Sequence, residues 1–229
     1  MLGRFDRNKD LIDQNKLGNV DVVGCGGIGS ALAVQMGIMG WKKVVFWDDD
    51  WLEEHNLSST TYPADHLGNS KANAALCMLL DFGSKEQLDT SRANVSRIEP
   101  DIESSLTNSV FMCTDTMDSR RDVYEKWRTN NDREFFIDMR MGALSLNVAT
   151  ATKENDNYMK TWYPDESVED EPCTAKHTIF CAQLAAAMGM NQAFALLGDL
   201  PYYSYITYAL SPPRLTVSQD DFVLPIISK

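Results

Sequence analysis

The chain has 229 residues, 44% hydrophobic and 24% charged, which suits one soluble globular core with no need for metal or disulfide staples. Asp and Glu exceed Lys and Arg by 33 to 21, a net charge of −12. That balance argues against a general nucleic-acid or anionic-membrane binder, which needs a basic face to displace counterions. No apolar run reaches the ~18–20 residues needed to cross a bilayer, and the N-terminus lacks a signal-peptide core, so the expected location is cytoplasmic. The five cysteines (25, 77, 113, 173 and 181) are irregularly spaced with no Cys-x-x-Cys pair, so no structural zinc is expected.

Residues 4–16 are polar and read as a short helix or arm. Val20–Val23 is a β-branched run ending at Gly24, the pattern of a buried strand. Ala31–Met39 is apolar and helix-permissive, with Gly40 as its stop, and Val44–Trp47 is a second strand closed by Asp48-Asp49-Asp50. Strand, glycine turn, helix and strand within ~30 residues is the βαβ unit of a doubly wound sheet. Helices are expected over Lys71–Phe82, with Ala75, Leu76, Leu79 and Leu80 inward, and over Met117–Thr129; strands over Ser109–Cys113 and Phe135–Asp138. Leu144–Thr152, the turn Glu154–Asn157 and Tyr158–Tyr163 read as an antiparallel hairpin. Residues 164–172 form a loop, Thr178–Leu197 a long helix closed by Gly198, and the proline-containing tail an irregular segment. The fold class is α/β: a Rossmann-like, mostly parallel sheet flanked by helices with an added antiparallel hairpin. One domain spans residues 1–229, with an N-terminal arm (about 1–17) and an irregular C-terminal tail (about 199–229).

The turn Gly24-Cys25-Gly26-Gly27-Ile28-Gly29 lies between a strand and a helix. Glycines let backbone approach a phosphate, and a helix N-terminus offers free N–H groups and partial positive charge to it. Asp48 lies 19 residues after Gly29, where a carboxylate accepts ribose hydroxyls. Together these point to an adenine nucleotide without choosing among NAD, FAD and ATP.

Further stretches narrow the choice. Trp47-Asp48-Asp49-Asp50 runs on to Asn56-Leu57, then to Gly68-Asn69-Ser70-Lys71-Ala72, then to Cys113-Thr114-Asp115-Thr116. This order resembles the ThiF/MoeB/HesA family of adenylyltransferases related to ubiquitin-activating enzymes. Its pattern is a glycine loop, an acid-x-acid strand end, Asn-Leu, G-x-(S/P)-K-A and (T/A)-D-(N/S/T), matched over roughly residues 4–197. The resemblance implies ATP-dependent adenylation of the C-terminal carboxylate of a ubiquitin-like or sulfur-carrier protein ending in glycine. It places Gly24, Gly26, Gly27, Ile28 and Gly29 against the phosphates, Asp48 and Asp50 at the ribose end, Asn56 and Lys71 toward the triphosphate, and Asp115 on Mg²⁺. Such chemistry is largely positioning and charge neutralisation, so a lysine, a metal and N–H donors suffice.

The sequence departs from the family at Ser59, where an arginine that contacts phosphate is expected. Arg4-Phe5-Asp6-Arg7 resembles the family's arm, from which the second arginine, here Arg7, would reach the other subunit's site in a homodimer. Arg140 is another candidate cation. Cys173, in Glu171-Pro172-Cys173-Thr174, approximates the thioester-forming cysteine of ubiquitin-activating relatives, while Cys181 reads as a small apolar helix residue. A nucleotide-binding scaffold without activity is the rival that Ser59 motivates. A nicotinamide-dependent oxidoreductase would leave Lys71 and Asp115 without a role.

Overall fold

The computed structural model describes residues 3–85, 91–98, 106–167, 178–217 and 219–223. An eight-stranded sheet runs in the order β3-β2-β1-β4-β5-β6-β8-β9. Its first five strands, β3 (Arg92–Asn94), β2 (Lys43–Trp47), β1 (Asn19–Val23), β4 (Ser109–Met112) and β5 (Phe135–Met141), are parallel. β6 (Ser145–Thr152), β8 (Tyr205–Leu210) and β9 (Pro213–Val217) extend it antiparallel. β7 (Tyr202–Tyr203) and β10 (Phe222–Val223) form a separate two-stranded antiparallel ribbon.

Strand alternation assigns the two faces. Val20, Val22, Phe46, Phe111, Phe135 and Ile137 join one buried cluster with residues of α1 (Gly27–Met39), α2 (Lys71–Phe82) and α4 (Ile179–Leu197). Val23, Val45, Val110, Met112 and Phe136 face Val123, Tyr124 and Trp127 of α3 (Met117–Arg128) on the other. The α2 stripe is Ala72, Ala75, Met78 and Leu79; Leu76 and Leu80 are only half-buried, so the inward face is turned slightly from the one expected. α1 begins four residues before the expected start because the glycine turn itself forms the first helical turn, and Gly40 closes it in the left-handed conformation, φ 88°.

Three expectations fail. Tyr158–Tyr163 is not a strand: Tyr158–Thr161 is a 3₁₀ turn whose Tyr158 ring packs on Tyr124 and Phe136 beneath the sheet. β6 instead pairs with β5 and β8. The described part of the C-terminal tail is not irregular, because β8 and β9 complete the sheet edge, with Pro213 at the outermost strand's first position, where no ladder donor is needed. Finally, α4 is by length and composition apolar enough to cross a membrane, contrary to the expectation that no such run exists; half of it is buried inside the protein. That burial is the pattern of a core helix. Residues 4–11 are a series of turns, the arm of the two readings rather than the helix.

The chain leaves β1 toward β2 and β3 on one side and returns to β4 on the other. This reversal makes the C-terminal ends of β1 and β4 the topological switch point, where open α/β sheets place their ligand crevice.

Candidate active site

The glycine turn sits at that switch point. Gly24 has φ +92°, and a Cβ there would lie 2.7 Å from the Cys113 carbonyl carbon, so the ends of β1 and β4 approach too closely for any side chain. Gly27 meets the Ser59 carbonyl oxygen, 2.7 Å from a would-be Cβ, whereas Gly26 faces open space. Ile28 is buried in the core, so only its backbone is available to a ligand.

Asp48, at the end of β2, braces this turn. Its Oδ2 accepts the Cys25 N–H at 2.6 Å and its Oδ1 the Asp50 N–H at 2.9 Å. A carboxylate has about four acceptor positions, so each oxygen keeps one for a ligand hydroxyl. Burial pushes the Asp48 carboxyl above the usual range, against the lowering effect of those N–H bonds and of Lys71. Tyr62, which sequence reasoning did not single out, ties the turn to α2: its hydroxyl donates to the Cys25 carbonyl at 2.7 Å and approaches the Lys71 carbonyl at 3.4 Å.

Lys71 opens α2, where a cation is disfavoured by the helix dipole. Asp50 compensates, its carboxylate 2.7 Å from Lys71 Nζ and its carbonyl accepting the Lys71 N–H at 2.9 Å. The Lys71 side chain is only 14% exposed. Ser70 caps the same helix by accepting the Asn73 N–H at 3.3 Å. On the other flank of the acidic turn, Asp49 accepts Arg97 Nε–H at 2.7 Å. The carboxylates of Asp48, Asp49 and Asp50 lie within 4.8 Å of one another. Asp115 is exposed just past β4, near enough to bear on the Arg97 charge.

Asn56 lies nearby but spends its Oδ1 locally, accepting the Glu53 N–H at 2.9 Å in a capping box. Its carbonyl accepts the Ser59 N–H and the Thr60 hydroxyl. Ser59 sets its carbonyl against Gly27 of the glycine turn.

Two sequence-named cations are not free at this site. Arg140 is buried, with Nε 2.7 Å from Asp138 and its other nitrogens on the carbonyl and hydroxyl of Thr161. Arg7 is exposed on an arm whose Arg4 donates to carbonyls of Gly37, Phe82 and Gly83 and whose Phe5 packs on Gly40. Those residues mark the far ends of α1 and α2, and a 13-residue helix spans ~20 Å, so Arg7 does not reach this chain's own glycine turn. Cys173 lies outside the described residues. Cys181 is buried on α4 as expected, directing its thiol to the carbonyls of Gly142 and Ser145, and burial pushes its pKa up. Cys113 is half-buried, and desolvation pushes its thiol up to about 12, so neither is an activated nucleophile. Asp49 and Arg97, to which the sequence reading gives no role at the site, carry no local signal for their pairing, because their meeting depends on β2–β3 pairing.

Ubiquitin-like modifier-activating enzyme 5 from Drosophila simulans is 22% identical over 80% of this chain and 49% of its own length. Its Arabidopsis thaliana counterpart is 28% identical over 41% of this chain and 22% of its own length. The chain thus spans half or less of the curated relatives it matches. Among solved structures, E. coli MccB with ATP superimposes at a TM-score of 0.71, 14% identical, covering 100% of this chain and 74% of MccB. PaaA gives 0.69 at 18% identity, covering 92% of this chain and 67% of PaaA. At such identities the likeness is one of fold. The ThiF family model matches residues 6–200, most of the chain and every element around the glycine turn, and on that match this protein belongs to the ThiF family.

Proposed function

We propose that this protein is an ATP-dependent adenylyltransferase acting on the C-terminal carboxylate of a small ubiquitin-like or sulfur-carrier protein. The observation that carries the reading is the meeting, at one switch point, of the glycine turn, Asp48, the Lys71–Asp50 pair and Asp115. Support also comes from relatives: ubiquitin-like modifier-activating enzymes among the curated matches, and MccB structures that include ATP or MccA.

In this reading the N–H groups of residues 26–29 and the N-terminal dipole of α1 bind phosphate oxygens. The two unused acceptor positions of Asp48 hold ribose hydroxyls. Lys71 leaves Asp50 for the triphosphate, and Asn56 offers its amide NH₂, since its Oδ1 is already engaged. The substrate carboxylate attacks the α-phosphorus, forming an acyl-adenylate and releasing pyrophosphate. The donor set suits Mg²⁺, a hard cation that takes oxygen ligands and needs only one or two protein carboxylates; Asp115 is the residue proposed to hold it. When bound, it neutralises charge on the phosphate oxygens. Arg7 is proposed to act in trans in a homodimer, and the Cys173 thiolate to attack the acyl-adenylate carbonyl in a second step, forming a thioester as the acyl–phosphate bond breaks and AMP leaves. The cytoplasm is the proposed location.

The test is pyrophosphate release with MgATP and candidate carrier proteins, in the wild type and Asp115→Ala. Loss in the variant by about 100-fold or more, with retained far-UV circular dichroism, is the expected result. Turnover equal to wild type refutes the Asp115 assignment. ATP binding without pyrophosphate release in the presence of the true carrier favours a nucleotide-binding scaffold, the reading that Ser59 motivates.

A further inference from the structure

The acidic turn contains a second cation that neither the family pattern nor the reaction as drawn uses. Arg97 follows β3, the strand next to β2, and the Asp48 N–H bond to the Asn94 carbonyl at 3.3 Å fixes the end of β3 beside the turn. From there the guanidinium reaches Asp49 at 2.7 Å. It remains 71% exposed, so a fork of N–H donors is still accessible after Nε is engaged. The hydrogen bond and charge of Asp49 raise the Arg97 pKa most, and Asp50 and Asp115 add to the effect, so the guanidinium lies within electrostatic reach of three carboxylates of the site.

The charge count makes this cation matter. Asp48, Asp49, Asp50 and Asp115 face Lys71 and Arg97, a net charge of −2 when all six are ionised. A triphosphate entering such a patch meets repulsion unless its metal and both cations turn toward it. Ser59 contributes no charge. Arg140 and Arg120 are committed to Asp138, and Arg4 to carbonyls at the far end of the helices. Lys71 and Arg97 are also arranged alike, each on one carboxylate of the same turn.

We propose that Arg97 is a phosphate-binding residue of the nucleotide site, exchanging Asp49 for the triphosphate and replacing the positive charge absent at Ser59. The exchange is one of partners, with no covalent change: Asp49 releases the Nε–H, and phosphate oxygens accept from the guanidinium fork. Asp49 orients Arg97 beforehand and competes with phosphate for it. This inference rests on the adenylation reading only in requiring that MgATP bind at the glycine turn.

Calorimetric titration of the full chain with MgATP and, separately, with adenosine tests it, using Arg97→Ala, Arg97→Lys, Asp49→Asn and, as a positive control, Lys71→Ala. Arg97→Ala is expected to weaken MgATP about 10-fold, the scale of a charge-assisted hydrogen bond, without changing adenosine affinity. Arg97→Lys retains most of the affinity, and Asp49→Asn binds MgATP at least as tightly as wild type. Unchanged MgATP affinity in Arg97→Ala, with Lys71→Ala weakened, overturns the proposal. So does an equal loss of adenosine and MgATP, which would place Arg97 on the nucleoside. An equal weakening by Asp49→Asn and Arg97→Ala also overturns it, because the ion pair would then only pin the turn. Failure of the wild type to bind MgATP at all would instead remove the functional reading beneath it.

Discussion

Replacing Asp138 by Asn tests whether the Asp115 loop is held from below by buried charge. Asp138 is fully buried on β5 and is shared by two guanidiniums, Arg120 from α3 and Arg140 from β5 itself. The Tyr158 hydroxyl donates to the same carboxylate at 2.9 Å. Arg120 also donates to the carbonyls of Thr114 and Met139, and Arg140 to Thr161. Burial pulls the Arg120 pKa down to about 10, a sign of how much its charge depends on compensation. Asn keeps the shape and removes the charge, leaving two buried cations facing an amide. Breaking a buried pair costs about 3–5 kcal/mol. Sharing by two arginines pushes toward the upper end, and their surviving carbonyl bonds pull back, so about 4 kcal/mol is expected for Asp138→Asn. That is a large share of the ~5–15 kcal/mol that holds an ordinary domain together. Urea unfolding followed by tryptophan fluorescence reads it as a fall in midpoint with unchanged slope. The Arg120 anchor on Thr114 adjoins Asp115, so MgATP affinity should fall as well under conditions where the variant is still folded. A stability loss below about 1 kcal/mol would refute the account of the cluster as a charge-balanced support.

Two further outcomes follow from buried groups near the site. Asp21, buried on β1, accepts Trp47 Nε1–H and the Thr107 N–H, each at 2.6 Å, and burial raises its pKa above the carboxylate range. Its folded form therefore holds a proton more tightly than its unfolded form, so wild-type stability declines as pH rises from the ordinary carboxylate range through the raised pKa, then levels. Asp21→Asn removes that dependence and one of two acceptors, at a cost of about 1–3 kcal/mol; urea unfolding across pH should show the gap to wild type narrowing as pH rises. Gly24→Ala places a Cβ in a left-handed backbone and against the end of β4, so a loss of at least ~1–2 kcal/mol is expected in thermal or urea unfolding. A neutral effect would mean the turn relaxes without strain.

The first βαβ unit was legible because its signals are local. A β-branched run stops at Gly24, the glycines follow at fixed spacing, and Asp48 closes the next strand. The apolar pattern starts the helix at Ala31 because glycines have low intrinsic helix propensity; in the fold the helix already begins at Gly27, a position that must be glycine because a side chain there would collide with the Ser59 carbonyl. Tyr158–Tyr163 reads as the return strand of a hairpin because it follows the turn Glu154–Asn157, but the Tyr158 ring fills the aromatic cluster under β5 and its hydroxyl serves Asp138. The tail strands were hidden by prolines, which an outer antiparallel edge tolerates where a central strand does not. Arg140 looked available from its place at a strand end. Its neighbour two residues earlier, Asp138, points to the same face and takes it out of reach, a consequence of period-2 geometry that the sequence contained but that composition alone could not weigh.

The same geometry explains why charge rather than apolar burial organises the site. Four carboxylates emerge at the ends of β2 and β4, while the buried Arg120 and Arg140 are spent on Asp138. A patch left negative at a helix N-terminus opposes a bare polyanion but accepts one that brings its own divalent cation. In a chain of net charge −12, long-range steering of a polyanion is also unfavourable, so in the proposed reading selectivity for ATP arises at contact distance, from the backbone N–H groups of residues 26–29 and from Lys71 and Arg97. Asp49 and Asp50 then do more than dilute that positive charge. They tether Lys71 and Arg97 to the same acidic turn, and in the proposed reading each cation exchanges its carboxylate for phosphate, so the tether that keeps the side chain near the turn also competes with the ligand for it.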